Sequence, residues 1–430
     1  MSKSMTQVSL RLGLDSGLAT SLEAPVSRGF SGGLTAACLR TSSELEAFSG
    51  EWRELFQRTG CQTAFLSVEW MVSWWRHWGG NHQLFVVTVR EPSGRLLAIA
   101  PFYIRRSAFG PWGPRALCYL AHKWVGSDHL NVIVDPEYEQ LGVEAIVRFV
   151  GQQRAEWDYV ELADGEETSP TFARLCQEFK SLGMTERVTD SEVCPYTTLP
   201  SSFEEYLAGV GKNLRYNFRR RWRALEREGQ VKFIVLRSGT ELQESFGKLV
   251  WLHRLRFQQQ DKYSSFLAPH IQEFHADSLK HIAAAGMARL FLLQIGDKAV
   301  AALYGFSVNK TFSFYQIGMD PAWSHLSVGV VMMGCSIEEA IRSGHDEFDF
   351  LRGDEAYKFQ WAREARHEVT RYLFDRRIRS QWGWPEVWVK KELTRLIRGC
   401  LGMMEGLLPY KTMEHLVNGV RKIRERSPST

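Results

Sequence analysis

The sequence predicts an α/β protein of the α+β kind, built from two copies of one strand–helix–helix–hairpin–strand–helix–strand unit. Three observations predict it. Segments of the first half recur in the same order in the second. Their apolar residues follow the two-residue period of strands in some segments and the 3.6-residue period of helices in others. The composition, 44% hydrophobic and 24% charged over 430 residues, is that of a globular chain with room for two or three domains.

The elements are justified in order. "CLRTSSELEAF" at 38–48 and "VLRSGTELQESF" at 235–246 each read as a strand end followed by a capped helix start. "AFLSVEWM" at 64–71 and "SFLAPHIQ" at 265–272 each open a second helix. "QLFVVTVREPSGRLLAIAPFYI" at 83–104 and "RLFLLQIGDKAVAALYGFSV" at 289–308 are alternating runs joined by a glycine-containing turn, the pattern of a hairpin. "VDPEYEQLGVEAIVRFV" at 134–150 matches "MDPAWSHLSVGVVMMGCSIEEAI" at 319–341, an Asp-Pro leading into a helix. "EWDYVELADG" at 156–165 matches "EFDFLRGDE" at 347–355, which sets Asp158 opposite Asp349. The reading divides the chain into a loose Ser-, Gly- and Thr-rich leader at 1–35, domains at 36–200 and 201–378, and a helical extension at 379–430 with mixed apolar and basic faces. That extension could dock on the second domain, pair with another subunit or touch a bilayer.

Several function classes are excluded. The longest apolar runs are strand-sized, too short to span a bilayer, and the N-terminus lacks the apolar core of a signal peptide. Seven cysteines, scattered without a C-x-x-C, argue against a disulfide framework and against a metal site. A net charge of +4 does not by itself imply nucleic acid. A cytoplasmic enzyme is expected.

The order of the repeated elements resembles that of the GNAT acyltransferase fold, and its doubling is similar to the tandem GNAT arrangement of Fem-type peptidoglycan aminoacyltransferases. The second half further resembles bacterial GNAT-type acetyltransferases associated with cellulose and exopolysaccharide biosynthesis. That resemblance is carried by "YLAGVGKNLRYNFRRRWRALEREG", "LHRLRF", "YQIGMDPAWSHLSVG" and "DFLRGDEAYKFQW", and it covers about residues 50 to 375. It implies central mixed, mostly antiparallel sheets flanked by helices, with acetyl-CoA or another acyl-CoA as donor substrate and no metal. It also implies a saccharide or small-molecule acceptor, in polysaccharide or cell-envelope synthesis and peripheral to the inner membrane.

In that fold the donor pyrophosphate rests on the N-terminus of the helix after the fourth strand, where unpaired amides favour an anion. The matching loop is "HLSVGVV", with Ser327, Val328, Gly329 and Val330 as donor-binding candidates. The bland alternative is that Ser327 caps the helix and Gly329 permits close packing. The first-half loop carries Glu139 and Glu144 around its glycine, a poor phosphate site. On "DFLRGDEAYKFQW", Asp349 and Asp354 are candidate bases, and Tyr357 or Lys358 could serve as acid or oxyanion partner. The structural alternative pairs Arg352 with Asp354 and Lys358 with Glu355. His253 and Arg256 lie three apart on one helix face, suited to an anionic or sugar acceptor beside Arg352.

In "GKNLRYNFRRRWRALEREG" seven basic residues oppose two glutamates, and Leu214, Phe218, Trp222 and Leu225 form an apolar stripe. Arg215 and Arg219 of its cationic face suit a polyanionic or phosphate-bearing acceptor, an acidic membrane surface, or plain solvent. Trp70, Trp74 and Trp78 share a face that reads as core before it reads as a sugar platform. Three function classes remain open: an acyl-CoA-dependent N- or O-acyltransferase, a Fem-like transferase using aminoacyl-tRNA, and a non-catalytic tandem GNAT binding module.

Overall fold

The computed structural model describes residues 28–29, 33–107, 110–260, 264–389 and 392. The first half contains β1 (Arg28–Gly29), β2 (Thr35–Leu39), α1 (Ser42–Ala47), α2 (Ser49–Arg58), α3 (Val68–Trp78), β3 (Gln83–Arg90), β4 (Leu96–Arg105), β5 (Ala116–Tyr119), β6 (Ile133–Val134), α4 (Glu139–Gln152), β7 (Tyr159–Glu166), α5 (Pro170–Ser181) and β8 (Thr185–Thr198). The second contains α6 (Phe203–Gly209), α7 (Lys212–Glu228), β9 (Val231–Leu236), α8 (Gly239–Gln259), α9 (Pro269–Ala284), β10 (Ala288–Ile295), β11 (Lys298–Val308), β12 (Thr311–Met319), α10 (Val328–Arg342), β13 (Glu347–Asp349), α11 (Lys358–Trp361), β14 (Glu364–Phe374) and α12 (Ile378–Gln381). Residues 383–389 continue as helix. Most of the expected leader and of the expected 379–430 extension lies outside the described residues.

The helix starts follow local chemistry. Thr41 and Glu44 form a capping box at α1. Ser67, Ser169 and Ser202 each accept from an amide in the first turn of α3, α5 and α6. The apolar alternation of 83–104 and 289–308 makes both hairpins, β3–β4 and β10–β11.

The duplication is written in the hydrogen bonds. β3 lies between β2 and β4 as β10 lies between β9 and β11, all antiparallel. β5 pairs with β7, and β12 with β13, in parallel. Thr63 accepts from Phe65 N, and Ser264 from Phe266 N. Asp135 N donates to Leu97 O at 2.8 Å, and Asp320 N to Val300 O at 2.9 Å. The ladders correct one expected equivalence. Asp158 N donates to Arg115 O and Asp346 N to Lys310 O, each at 2.8 Å, so Asp158 matches Asp346. The ladder partner of Cys118 is Glu161 and that of Ser313 is Asp349, which makes Glu161 the counterpart of Asp349. The shared letters E-x-D of the two segments had suggested a register three residues off; backbone pairing decides it.

The sheets of the two halves are joined. One mixed, mostly antiparallel sheet runs β1-β2-β3-β4-β5-β7-β14-β8-β13-β12-β11-β10-β9. β14, at the end of the second half, is inserted between β7 and β8 of the first. β8 also pairs with β13 through Tyr196–Thr198, so its 14 residues bridge the halves. Helices flank the sheet on both faces. Trp70 and Trp78 of α3 meet Phe274 of α9 with ring centroids 4.9 and 5.0 Å apart, which continues one apolar core across the junction. A second core lies on the other face of the second half, under α6, α7 and α10. Trp70 and Trp74 are therefore core residues; burying a large apolar side chain contributes about 1.5–3 kcal/mol.

Candidate functional site

β12 and β13 pair only at residues 311–313 and 347–349. β13 then stops, while β12 runs on to Met319, bonded on its other side to β11. Among the described residues, the edge of β12 beyond Ser313 thus has no neighbouring strand on the β13 side. A register shift between Gly305–Phe314 and Tyr304–Gln316 places a bulge at Tyr315, the device that bends a strand away from its ladder. From Met319 the chain passes through a 3₁₀ turn at Pro321–Leu326, capped by Asp320, into α10. Ser327 precedes α10 at φ +54° and makes no side-chain cap, so the capping alternative for Ser327 does not hold. Gly329 packs on Met319, whose Cε would lie 2.9 Å from an added Cβ. Val328 is buried, and Gly329 and Val330 are half-buried.

The basic helix α7 packs on this same loop. Arg221 donates to His325 O at 3.0 Å. Phe218 and Leu225 face the core, as their spacing predicts. Arg215 is half-buried; Arg219 is exposed and pairs with Glu204. Cationic surface and helix N-terminus therefore lie side by side.

Arg256 of α8 reaches the free edge of β12, donating to Ile317 O at 3.4 Å. Its guanidinium lies 6.0 Å from the Tyr357 ring centroid. Burial and nearby Glu355 push the Tyr357 phenol up to about 12, against Arg256. Tyr357 is thus a proton carrier at neutral pH. His253 departs from the expectation that it faces a cleft with Arg256. It is buried, with Nδ1 2.8 Å from Ser264 Oγ and Nε2 3.0 Å from Gln316 Oε1. Burial and Arg256 lower it to about 4, so it is a neutral bridge between α8 and β12.

The charged turn after β13 resolves residue by residue. Asp349, 1% exposed, binds Leu351 N at 2.8 Å and His129 Nε2 at 2.8 Å. Burial alone would raise its carboxyl; His129 outweighs that and holds it below the usual range. Lys358 is buried and donates to Arg352 O at 2.6 Å and Leu351 O at 3.3 Å, with Glu355 at 3.1 Å. It ties the turn together, as the structural alternative expected for Lys358 and Glu355. Arg352 does not pair with Asp354. Its backbone N donates to Asp128 Oδ2 at 2.9 Å, its Nε to the other oxygen, and its Nη1 lies 3.0 Å from Asp164. Asp354 is exposed, and no described residue is bonded to its side chain. Leu351 sits at φ +55°, a conformation that costs a branched residue about 1–3 kcal/mol and persists only where neighbours impose it.

The residues that bind this turn come from a first-half segment that sequence reasoning passed over. Val134 and Ile133 of β6 pair with Ala98 and Ile99, as Met319 and Gly318 pair with Ala301 and Ala302. β5 and β6 are therefore the two ends of the strand equivalent to β12, separated by an excursion at 120–132. Trp70 Nε1 donates to Ser127 Oγ at 2.9 Å, Trp74 Nε1 to Lys123 O at 3.0 Å, and Tyr315 OH to Val125 O. Its Asp128 and His129 enter the second half. His129 lies between Asp349 and Glu368, with Nδ1 3.0 Å from the latter. Burial opposes its charge, but both carboxylates raise it well above the ordinary imidazole value. The signal available in the sequence was the spacing: nineteen residues from Ala116 to Val134 stand where nine from Thr311 to Met319 suffice.

A cleft of about 250 Å³ opens beside this seam, lined by Asn131, Glu166, Thr311, Glu347, Asp349 and Arg366 among others. Arg366 holds Glu347 at 2.7 Å and Glu166 at 3.7 Å. Thr311 Oγ1 is buried there without a hydrogen-bond partner. His129, Cys194 and Glu368 are close enough to hold a metal ion, as are Cys118, His122 and Glu161. In the second group Arg105 at 2.6 Å and Lys123 at 3.1 Å already neutralise Glu161, and in the first His129 is held as a cation. Neither donor set suits a metal, which needs deprotonated, unpaired ligands.

Residues 212–359 match the family of the acetyltransferase (GNAT) domain. No curated protein matches the chain. Among solved structures, FemX superposes with a TM-score of 0.56 at 11% identity, over 78% of this chain and 96% of that one. The C-terminal domain of a putative lysylphosphatidylglycerol synthetase from Agrobacterium fabrum gives 0.47 at 10% identity, over 77% and 92%. A tandem GNAT protein from the clavulanic acid biosynthesis pathway gives 0.43 at 10%, over 78% and 98%. The FemX likeness shows the fold over the 78% of the chain that it covers; the domain match at 212–359 marks the second half as that of an acyltransferase.

Proposed function

We propose that the acetyltransferase (GNAT) domain at 212–359 is the working half of this chain. It transfers an acyl group from acyl-CoA, acetyl-CoA in the simplest case, to the amine or hydroxyl of a small-molecule or saccharide acceptor. The observation that carries this reading is the unpaired edge of β12 beyond Ser313, which leads directly to the N-terminus of α10. An extended pantetheine arm can pair with such an edge while the pyrophosphate meets the amides of Val328, Gly329 and Val330. Arg221 and its neighbours on α7 add positive charge beside it.

The assigned roles follow from position and protonation. The acceptor nitrogen or oxygen attacks the thioester carbonyl, the C–S bond breaks, and the acceptor proton leaves to a base. Asp354, exposed and unpaired in the turn, is the carboxylate available as that base. Tyr357, protonated and beside Arg256, gives the thiolate its proton. Asp349 and Lys358 shape the turn. The seam cleft beside Asp349 is the entry for the acceptor. A second reading, an aminoacyl-tRNA donor, is favoured by the exposed arginines of α7 next to the same helix end.

Isothermal titration of the full chain with CoA and acetyl-CoA tests the proposal. Gly329→Glu should weaken binding about tenfold, ~1.4 kcal/mol, within the range of a charge at a helix terminus. Gly329→Ala, which asks only the end of Met319 to move, should bind nearly as the wild type. A chain that ignores CoA but shifts aminoacyl-tRNA in a gel supports the second reading; one that ignores both is a binding module.

A further inference from the structure

The segment that follows β14 carries an unusual surface. After β14 the chain runs through α12 and the helix at 383–389, which rest on the first half. Ser107 Oγ donates to Glu386 at 2.9 Å, Arg379 to Gly113 O at 3.0 Å, and Ser380 Oγ accepts from Asp375 N at 2.9 Å. Ser380, Glu386 and Val387 face inward and are buried. The outward face reverses the usual composition. Ile378 is 75% exposed, Trp382 65%, Trp388 57% and Val389 44%, and beside them Trp112, next to Gly113, is 87% exposed. The spacing 378, 382, 388/389 keeps the apolar side chains on one stripe of the helices.

Among the described residues of this segment the exposed charges have one sign. Arg376, Arg377 and Arg379 are exposed, whereas Asp375 and Glu386, the acids of the segment, are buried. Arg106, just before Ser107, is exposed as well. Tryptophans that project, interleaved with aliphatic side chains and rimmed by arginines, are what the boundary between headgroups and acyl chains selects. The indole places its ring in the apolar layer and its N–H among polar groups, while the guanidinium meets lipid phosphate. A sugar platform would instead set carboxylates around its aromatic rings, and here the exposed charged groups of the described segment are arginines, with Gln381 the exposed amide among them. No helix among the described residues is long and apolar enough to cross a membrane, so contact at this face is peripheral.

We propose that Trp112, Ile378, Trp382, Trp388 and Val389, with Arg106 and Arg376, form a surface that docks this enzyme on an anionic lipid bilayer. The inference is independent of the donor site, which lies on the other half.

Co-sedimentation of the full chain with lipid vesicles tests it. The wild type should pellet with phosphatidylcholine vesicles containing phosphatidylglycerol and far less with phosphatidylcholine alone. Trp112→Ala/Trp382→Ala/Trp388→Ala should lose binding by about tenfold or more, since its three side chains supply most of the inserted apolar area. Arg106→Gln and Arg376→Gln should each weaken it about fivefold, and added salt should do the same. Because all these side chains are exposed, melting temperatures should stay at the wild-type value, which separates lost docking from lost folding. The proposal is overturned if the wild type does not pellet, or if the triple variant pellets equally. It is also overturned if light scattering shows a dimer that the triple variant dissolves, for then a second copy covers the face.

Discussion

From Ala116 to Val134 the first half breaks the strand that the second half runs unbroken from Thr311 to Met319. The unbroken copy offers an edge, a bulge and a helix end; the broken one spends its extra residues on the other half. The excursion places Ala121, Trp124, Gly126 and His129 at positive φ, strain that its contacts with Trp70, Trp74 and Tyr315 must offset. The difference teaches how a duplicated fold can specialise. The second half keeps an open strand edge and helix end, and the first half gives up that geometry to hold the second half's turn in place. The same division shows in Glu161 and Asp349, which share a ladder position. Glu161 is tied inside its own half by Arg105 and Lys123, whereas Asp349 is tied across the seam by His129.

The comparison breaks most severely at Arg352. Asp128, 1% exposed, has Arg352 as its cationic partner. Arg352→Met should cost about 3–5 kcal/mol in urea unfolding, the effect of leaving a buried charge unpaired. A loss below about 1 kcal/mol would show that the excursion is anchored by its tryptophan contacts alone.

A smaller effect is expected where β12 meets α8. A Cβ at Gly318 would lie 2.4 Å from His253 N, backbone that cannot move aside. Gly318→Ala should therefore destabilise by about 1–3 kcal/mol, measured by thermal unfolding. The first half carries Ile133 at this ladder position, so close helix approach belongs to the copy with the unbroken strand. An unperturbed Gly318→Ala variant would erase that distinction.

The smallest effect is a pH dependence. The folded-state value of His129 is raised above its unfolded one. Its contribution is thus fully present below about 6.5 and is lost as pH rises through the raised value. Glu368, raised to about 8 chiefly by burial and next by Asp128, acts in the same direction: folded protein holds its proton longer than unfolded chain, so stability declines as pH climbs through that range. Glu161, lowered by Arg105 and Lys123 against burial, loses its contribution only in acid. The melting temperature should fall between neutral and alkaline pH, and His129→Gln should flatten that limb. It should also shrink the part of the acid limb that comes from Asp349, which His129 holds low, while the part from Glu161 stays. A wild-type melting temperature level across that range would remove His129 from the seam's energetics.

Local chemistry made much of this protein legible before any coordinates. Capping serines and threonines, Asp-Pro helix starts and alternating hairpins determined the elements, and their repetition in order determined the duplication. Those are properties of a few adjacent residues, and each half carries them independently. The core role of Trp70 and Trp74 and the Lys358–Glu355 tie were readable for the same reason. What only the tertiary structure decided is non-local. The insertion of β14 between β7 and β8 leaves no trace in the spacing of either strand, because backbone pairing is blind to side-chain identity. Asp128 and His129 sit in a loop whose letters are ordinary; their meaning comes from Arg352 and Asp349, more than two hundred residues away and 2.8–2.9 Å distant in space. Asp349 itself reads as a candidate base until the fold buries it against an imidazolium. A charge costs too much to bury alone, so its partner determines its role, and that partner is chosen by the fold.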